Sequence, residues 1–366
     1  MSVVVDLLRN SGIEVNGERP FDLQIHDKRL YDRVLAQGSL GLGEGYMDGW
    51  WDCEDLSHFF YLICRAKLDE KVVPLSFLFH ALKARIFNHQ TSSRSFRVGE
   101  AHYDIGNDLY QAMLDRRMVY TCGYWKEAKN LDEAQEAKLD LVCKKMGLKP
   151  GMKVLDIGCG WGGFLRFAAE NYGITGIGLT ISKEQADLAR LLCQGKKIDI
   201  LLCDYRKIES TFDRVISLGM FEHVGYKNYR TYMETVARCL NDDGLFLLHT
   251  IGGNQSTQTT DPWIDKYVFP NGMIPSVSQI GKAIEGLFVM EDWHNFGADY
   301  DKTLLCWFEN FDKNWDILQR KFDPVFYRRW KYYLLSCAGS FRARTNQLWQ
   351  VVLSKSGIES GYQSLR

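Results

Sequence analysis

The sequence is poor in the features that mark membrane-spanning, zinc-binding and fibrous chains. Its 366 residues include only 7 prolines, and its longest apolar stretches, such as 215–221, have the length of a strand. A spanning helix needs about 18 consecutive apolar residues. The 10 cysteines include no Cys-x-x-Cys pair and no zinc-like spacing with histidine, so we expect no metal site. The absence of sustained heptads excludes a coiled coil.

An excess of charge of one sign is also missing. Lys and Arg number 45 against 46 Asp and Glu, which gives a net charge of -1. Nucleic-acid binding usually requires a basic excess, so we expect no nucleic-acid partner. The N-terminus, MSVVVDLLRNSG, lacks the charged-then-apolar layout of a signal peptide. This predicts a cytoplasmic protein with reduced thiols.

One long stretch, 71–99, contains no Asp or Glu. Its second half, HQTSSRSFRVG, is rich in polar and chain-breaking residues, and we place a linker at 88–99. The linker separates an N-terminal domain, 1–87, from a catalytic domain, 100–366. We expect the N-terminal domain to be mostly helical, although 38–52 is too glycine-rich for a long helix.

The acid-free stretch also contains an amphipathic pattern at helical spacing. Its members are Leu75, Leu78, Phe79, Leu82 and Ile86 on one face, with Lys83 and Arg85 at the edges. This layout is typical of a helix that lies on anionic lipid. It is equally typical of a helix packed on the catalytic domain or on a second subunit.

After the linker, short apolar strands alternate with amphipathic helices, which predicts a parallel sheet with crossover helices. The predicted strands are 153–157, 175–179, 198–203, 213–218 and 245–249, and the predicted helices are 163–172, 183–193 and 229–239, with 27–37 and 56–67 near the N-terminus. We expect the aromatic tail, 300–366, to close the sheet and help wall the site.

The most informative local motif is VLDIGCGWGG, 154–163. Glycines at a strand-to-helix turn let the backbone approach a ligand closely, at the edge where open α/β sheets bind ligands. The acid Asp156, separated from Gly-x-Gly by one residue, resembles the first motif of class I S-adenosylmethionine-dependent methyltransferases. A dinucleotide-binding fold would usually place an acid at the tip of the next strand, and GLTIS, 178–182, has none. Asp204, after the third strand, is placed either to face an adenine edge or to be a solvated loop acid.

Further motifs make the resemblance specific: the chain resembles the bacterial cyclopropane-fatty-acyl-phospholipid synthases and, more distantly, the mycolic acid cyclopropane synthases. The matching segments are GLGEGYMDGWW (41–51), HYDIGNDLY (102–110), YTCGYW (120–125), VLDIGCGWGG (154–163), GLTIS (178–182), GMFEHVG (219–225), LLHTIG (247–252), FPNG (269–272), EDWHNFGADY (291–300) and CAGSFRARTNQLWQ (337–350). The resemblance implies an α/β fold, a class I S-adenosylmethionine-dependent methyltransferase (Rossmann-like) domain preceded by a small, mostly helical N-terminal domain.

The resemblance also implies an activity. The methylene equivalent of S-adenosylmethionine is transferred to the cis double bond of an unsaturated phospholipid acyl chain, and a cyclopropane ring forms with bicarbonate as the proton acceptor. Such an enzyme contacts the bilayer peripherally, at the inner face of the membrane, and is expected to be a homodimer. A dry aromatic cavity suits this chemistry, because it shields a cationic acyl chain from water.

The resemblance assigns two groups of residues. Those for the cofactor, S-adenosyl-L-methionine, are Tyr120, Thr121, Gly158, Gly160, Leu179, Thr180, Gln185, Asp204 and Tyr205. Those for bicarbonate and catalysis are Cys122, Glu222, His249, Ile251 (through its backbone) and Tyr300. Cys337 is a weaker candidate, because methyl transfer to an alkene needs no enzyme nucleophile.

Without the resemblance, these residues have ordinary structural interpretations. Glu222 and His223 are then interpreted as charged residues at the start of a helix, and His249 as a buried histidine whose ring nitrogens are hydrogen-bonded. The reaction has alternatives too: a related lipid C-methyltransferase that gives a methyl-branched or methylene product, a small-molecule N- or O-methyltransferase, or a lipid-binding protein without activity.

Overall fold

The computed structural model describes residues 2–68 and 105–366. The predicted amphipathic segment 75–89, the linker 88–99 and the start of HYDIGNDLY lie outside the described residues. The chain divides into two compact units: the first from Met1–Asn88, Gln258–Asn271 and Tyr300–Asn346, the second from His89–Thr257, Gly272–Asp299 and Gln347–Arg366. The first unit thus draws on two later segments as well as on the N-terminal one, which sequence order alone does not indicate.

The elements are as follows, in chain order. The helices are α1 (Ser2–Asn10), α2 (Leu30–Gln37), α3 (Ser39–Met47), α4 (Leu56–Arg65), α5 (Asn107–Met113), α6 (Leu131–Lys145), α7 (Gly163–Tyr172), α8 (Lys183–Leu192), α9 (Tyr229–Cys239), α10 (Pro262–Tyr267), α11 (Val277–Ile284), α12 (Ala298–Lys313), α13 (Trp315–Leu318) and α14 (Pro324–Arg342). The strands are β1 (Gln24–Ile25), β2 (Trp51–Asp52), β3 (Lys153–Ile157), β4 (Thr175–Thr180), β5 (Ile198–Leu202), β6 (Phe212–Leu218), β7 (Leu240–Gly253), β8 (Val289–Asn295) and β9 (Asn346–Ser354).

The first unit is mostly helical, and its glycine-rich segment contains no long helix, as expected. The only helix within residues 38–52 is the nine-residue α3. The glycines are needed for close packing: a Cβ at Gly43 would lie 2.3 Å from Cδ1 of Trp263, and one at Gly41 would lie 2.4 Å from the carbonyl oxygen of Arg33. Tertiary packing therefore outweighs the low helix propensity of glycine.

The second unit confirms the predicted α/β fold. Within residues 105–366, seven strands form one sheet in the order β5-β4-β3-β6-β7-β9-β8. The pairs from β5 to β7 are parallel, and β8 pairs with β9 antiparallel. The strand predictions agree to within about two residues except for β7, which starts five residues earlier and ends four later than expected.

The order of the strands fixes where a ligand can bind. The chain moves outward from β3 to β4 and β5, then returns to the other side of β3 as β6 and continues to β7. Open α/β sheets bind ligands outside the carboxyl ends of the strands at such a reversal, because the loops on either side diverge there. Apolar residues cover both faces of the sheet in two buried clusters. Polar groups at the carboxyl edge of the strands are therefore candidates for ligand binding.

Candidate active site

The loop after β3 is shaped by glycines in conformations that other residues rarely adopt. Gly158 and Gly160 have φ values of +85° and +53°. A Cβ at Gly158 would also lie 2.8 Å from Cβ of Met220, in the loop after β6, whereas nothing lies within 4 Å of a Cβ at Gly160. The Leu179 carbonyl accepts hydrogen bonds from the N–H groups of Gly158 and Cys159, each at 2.9 Å. The loop is therefore anchored at one end and open at Gly160.

This loop borders a cavity at the carboxyl ends of β3 to β6. All nine residues assigned to the cofactor line it: Tyr120, Thr121, Gly158, Gly160, Leu179, Thr180, Gln185, Asp204 and Tyr205. Further lining residues that the sequence analysis did not assign to the cofactor include Met118, Trp161, Phe164, Arg206 and His223. Motifs that are far apart in the chain thus meet around one space.

Asp156 places a buried carboxyl group in the wall of this cavity. The residue is 2% exposed, and burial raises the pKa of Asp156 to about 7, with Lys138 acting in the opposite direction. Among the described residues, Oδ1 of Asp156 has no hydrogen-bond partner. A buried, unpartnered carboxyl oxygen is costly, and a cationic ligand group would satisfy it.

The end of β4 offers neutral polar groups instead of an acid. The hydroxyl of Thr180 donates to Oε1 of Gln185 at 2.9 Å and accepts the N–H of Ser182 at 3.2 Å. The amide nitrogen is therefore the remaining donor of the Gln185 side chain. Asp204 is 2% exposed and accepts from the N–H and Nε of Arg206 at 3.0 and 2.9 Å. It is not a solvated loop acid.

Glu222 and Ile251 are in direct contact. The N–H of Ile251, in β7, donates to Oε1 of Glu222 at 2.7 Å. The other oxygen, Oε2, has no partner within the part of the chain that the structure describes. Burial raises the pKa of Glu222 to about 7. The N–H of Ile251 thus orients the Glu222 carboxyl group, and Oε2 is the atom left for a ligand.

His249 is buried in β7, opposite Leu218 of β6. Its Nδ1 lies 3.3 Å from Nε2 of Gln350, and its Nε2 has no partner among residues 2–68 and 105–366. Burial, with further contributions from Lys138 and Lys145, holds the pKa of His249 well below its ordinary value. The ring is therefore neutral, with one nitrogen paired and the other not.

The other three catalytic candidates are distributed between the two units. Cys122, in the second unit, is buried, and its thiol donates to the carbonyl of Gly123 at 3.1 Å. Tyr300, in the first unit, is buried with its ring 4.6 Å from that of Phe341. Cys337 also belongs to the first unit, and burial raises its thiol pKa to about 12. The thiol is therefore protonated at neutral pH, which disfavours a nucleophilic role.

Sequence reasoning missed the polar residues behind the cavity. The amide nitrogen of Gln135 donates to the carbonyl of Thr121 at 2.7 Å, and Nζ of Lys138 donates to its hydroxyl at 2.7 Å. Both come from α6, and both are fully buried. The available signal was a helical stripe in which polar side chains stand among apolar ones: Leu131, Gln135, Lys138, Val142 and Lys145.

The chain is similar to known proteins along its whole length. The family described as mycolic acid cyclopropane synthetase matches residues 90–351. The cyclopropane-fatty-acyl-phospholipid synthase of Escherichia coli K12 is 51% identical over 363 residues, which cover 99% of this chain and 94% of that protein. This extent includes the N-terminal part, as the GLGEGYMDGWW motif indicated.

Solved structures agree with these matches. The cyclopropane synthase MmaA2 from Mycobacterium tuberculosis aligns with a TM-score of 0.67 and 31% identity, over 71% of this chain and 98% of that one. The mycolic acid cyclopropane synthase CmaA1, complexed with SAH and CTAB, gives the same TM-score, identity and coverage. The predicted methyltransferase fold is therefore confirmed.

Proposed function

The chain belongs to the mycolic acid cyclopropane synthetase family, and we propose that it is an S-adenosylmethionine-dependent synthase that converts the cis double bond of a phospholipid acyl chain into a cyclopropane ring. The observation that carries this proposal is the cavity after β3, where all nine residues assigned to the cofactor by motif meet. The length of the match to a bacterial phospholipid synthase supports the substrate class.

The groups that line the cavity fit S-adenosylmethionine. Its methionine part carries an ammonium group, which suits the unpartnered carboxyl oxygen of Asp156. The side-chain amide nitrogen of Gln185 can donate a hydrogen bond to adenosine, and the carboxylate of Asp204 can accept one from it. The open space at Gly160 lets a ligand approach the backbone closely. When bound, S-adenosylmethionine supplies an electrophilic methyl group.

The residues of this chain have to orient the reactants and exclude water. An alkene needs no activating base, so alignment with the methyl donor supplies much of the rate. Tyr120, Trp161, Phe164 and Tyr205 line the cavity with aromatic rings. Rings exclude water and stabilise a cationic acyl chain through their faces. Ring closure then requires the loss of one proton from the transferred methyl group.

Glu222 and His249 are suited to hold bicarbonate, which would accept that proton. Bicarbonate has a hydroxyl donor and acceptor oxygens. Oε2 of Glu222 is a buried acceptor without a partner in the described chain, and Nε2 of His249 is likewise unpaired there. We propose that Glu222 accepts from the bicarbonate hydroxyl and that His249 donates to its oxygens. Cys122 and Ile251, in the same unit, remain assigned to bicarbonate by motif.

The lipid substrate requires contact with a bilayer. None of the helices in 2–68 and 105–366 is long and apolar enough to cross a membrane. We propose peripheral docking at the inner face through the segment 75–89, whose apolar stripe and basic edges suit anionic lipid. We also propose that the chain acts as a homodimer in the cytoplasm.

Lipid analysis tests the reaction directly. The purified protein is incubated with S-adenosylmethionine and vesicles of cis-unsaturated phospholipid, with saturated phospholipid as the control. We expect S-adenosylhomocysteine to form only with the unsaturated lipid, and the acyl chains to gain CH₂ while they lose the double bond. Gas chromatography separates the ring from an isomeric methyl-branched or methylene chain.

Two results would contradict the proposal. Turnover that leaves a methyl branch or a methylene group favours a related lipid C-methyltransferase with the same cavity. Turnover on small amines or alcohols but not on vesicles favours an N- or O-methyltransferase.

A further inference from the structure

Two lysines on α6 are fully buried, and only one of them contacts the cavity wall. Lys138 and Lys145 are 0% and 1% exposed. Lys145 lies 3.0 Å from Nδ1 of His294 and 3.6 Å from Asp292. None of these three residues lines the cavity. Burying an unpaired ammonium group costs folding free energy. The groups that each lysine contacts therefore indicate its role in the protein.

Lys138 contacts Thr121, which lines the cavity. Nζ of Lys138 donates to Oγ1 of Thr121 at 2.7 Å. An ammonium group can only donate, so Oγ1 accepts and the proton of the Thr121 hydroxyl is directed to another acceptor. Gln135, one turn earlier on α6, holds the carbonyl of Thr121 at 2.7 Å. The position of Thr121 is thus fixed through both its backbone and its side chain.

Lys138 also interacts electrostatically with Asp156. Lys138 lowers the pKa of Asp156 against the larger effect of burial, and burial lowers the pKa of Lys138 itself to about 8. The other titratable groups that face Lys138 are Asp115, Cys122 and His249. Asp115 is occupied by the N–H groups of Arg117 and Val119 at 2.9 and 2.8 Å. One buried charge therefore acts on two polar groups of the cavity wall.

We propose that Lys138 is a positioning residue for the cofactor: its ammonium fixes the Thr121 hydroxyl as a donor towards the ligand and favours the ionised form of Asp156, which can receive a cationic group. The proposal rests on the proposed function, because it takes S-adenosylmethionine as the ligand of the cavity. Lys138 acts through Thr121 and Asp156. It is absent from the residues that line the cavity.

Lys138→Met and Lys145→Met form a matched pair. Each removes one buried cation from the same helix, and both lysines lower the pKa of His249, so this effect is matched as well. Calorimetry with S-adenosylhomocysteine, melting curves and steady-state kinetics are measured for both. We expect Lys138→Met to raise the Kd for S-adenosylhomocysteine and the KM for S-adenosylmethionine about tenfold each, and Lys145→Met to leave both within twofold.

The pH dependence gives a readout that a merely structural lysine would not change. Without Lys138 the pKa of Asp156 rises further, so affinity for S-adenosylhomocysteine should begin to fall at a higher pH as the solution is acidified. The Lys145→Met profile should match the wild type. Equal affinities and equal profiles for both lysine variants would overturn the proposal. A wild-type protein that does not bind S-adenosylhomocysteine would contradict the proposed function itself.

A second pair covers the case in which Lys138→Met does not fold. Thr121→Val removes the hydroxyl, whereas Thr121→Ser retains it. We expect Thr121→Val to weaken S-adenosylhomocysteine about tenfold and Thr121→Ser to keep affinity within twofold. Equal affinity for the two variants would overturn the role of the hydroxyl, and with it the positioning role of Lys138.

Discussion

The side-chain amide nitrogen of Gln350 lies 3.3 Å from Nδ1 of His249, where β9 adjoins β7 in the sheet. An amide nitrogen only donates, so Nδ1 is the acceptor and the proton of the neutral ring is on Nε2. Nε2 is the nitrogen without a partner in the described chain. Gln350 therefore sets the tautomer that lets His249 donate to an anion.

Replacing Gln350 should impair turnover without affecting the cofactor. We expect Gln350→Leu to lower kcat about tenfold, because the His249 proton is no longer restricted to Nε2, and to leave the Kd for S-adenosylhomocysteine within twofold. Gln347→Leu is the control, since Gln347 is buried on the same strand and pairs with Asn295. Equal kcat values for the two variants would contradict the role of Gln350.

Glu222 should couple turnover to bicarbonate. We expect Glu222→Gln to fold and to bind S-adenosylhomocysteine within threefold of the wild type while losing most turnover, about 100-fold. Wild-type activity should fall when dissolved CO₂ and bicarbonate are removed and recover when they are restored. Activity that is indifferent to bicarbonate would exclude this part of the mechanism.

The same variant should change how stability depends on pH. Below about pH 4.5 Glu222 is protonated whether the chain is folded or unfolded. Between about 4.5 and 7 it ionises only in the unfolded chain, because burial raises its folded pKa to about 7. The wild type therefore loses stability over this window as pH rises, by up to roughly 3 kcal/mol, and Glu222→Gln lacks this loss.

Urea unfolding between pH 4.5 and 7.5 measures this difference. The stability of Glu222→Gln relative to the wild type should increase across the window. Glu234→Gln, on the exposed side of α9, serves as the control. A constant difference for Glu222→Gln would mean that the carboxyl group ionises in the folded protein at its ordinary pH.

The glycine loop can be tested with two glycines of equal backbone conformation. Gly160 and Gly147 have φ values of +53° and +54°, and neither would bring a Cβ within 4 Å of another residue. Alanine at either position should cost about 1 kcal/mol of folding stability. Only Gly160→Ala adds a methyl group to the cavity wall, so we expect it alone to weaken S-adenosylhomocysteine, by about tenfold or more.

A substitution at Gly158 would be less informative. At Gly158 a side chain would clash with Met220 as well as strain the backbone, so a loss of binding there could not be separated from a loss of folding. Equal affinity of Gly160→Ala and Gly147→Ala for S-adenosylhomocysteine would show that the loop does not contact the cofactor.

Membrane docking is tested by reversing the two charges, Lys83 and Arg85, that flank the apolar stripe of the segment 75–89. Each basic residue near an anionic surface contributes about 1 kcal/mol, and salt screens this attraction. Lys83→Glu together with Arg85→Glu should therefore weaken co-sedimentation with anionic vesicles and lower activity on them, with unchanged cofactor affinity. Normal vesicle binding by the folded variant at low salt would exclude the docking role.

The alternating strands and the glycine loop were predictable because their signals are local. A few adjacent residues are enough to predict a strand such as β3 or to recognise a motif such as Asp156 before Gly-x-Gly. The partners that orient the site are not local. Gln350 lies 101 positions from His249, and Lys138 lies 17 from Thr121, so only the folded chain brings them together.

The first unit also limits how this chain can be divided. Tyr332 of α14 packs against Trp51 and Phe60, with ring centroids 6.4 and 5.1 Å apart, and the guanidinium of Arg328 donates to the carbonyl of Trp51 at 2.9 Å. A recombinant fragment that starts at residue 100 would keep α14 but lose these partners and expose its aromatic surface to solvent. Proteolytic cleavage within 88–99 should accordingly give two pieces that co-purify until a denaturant separates them.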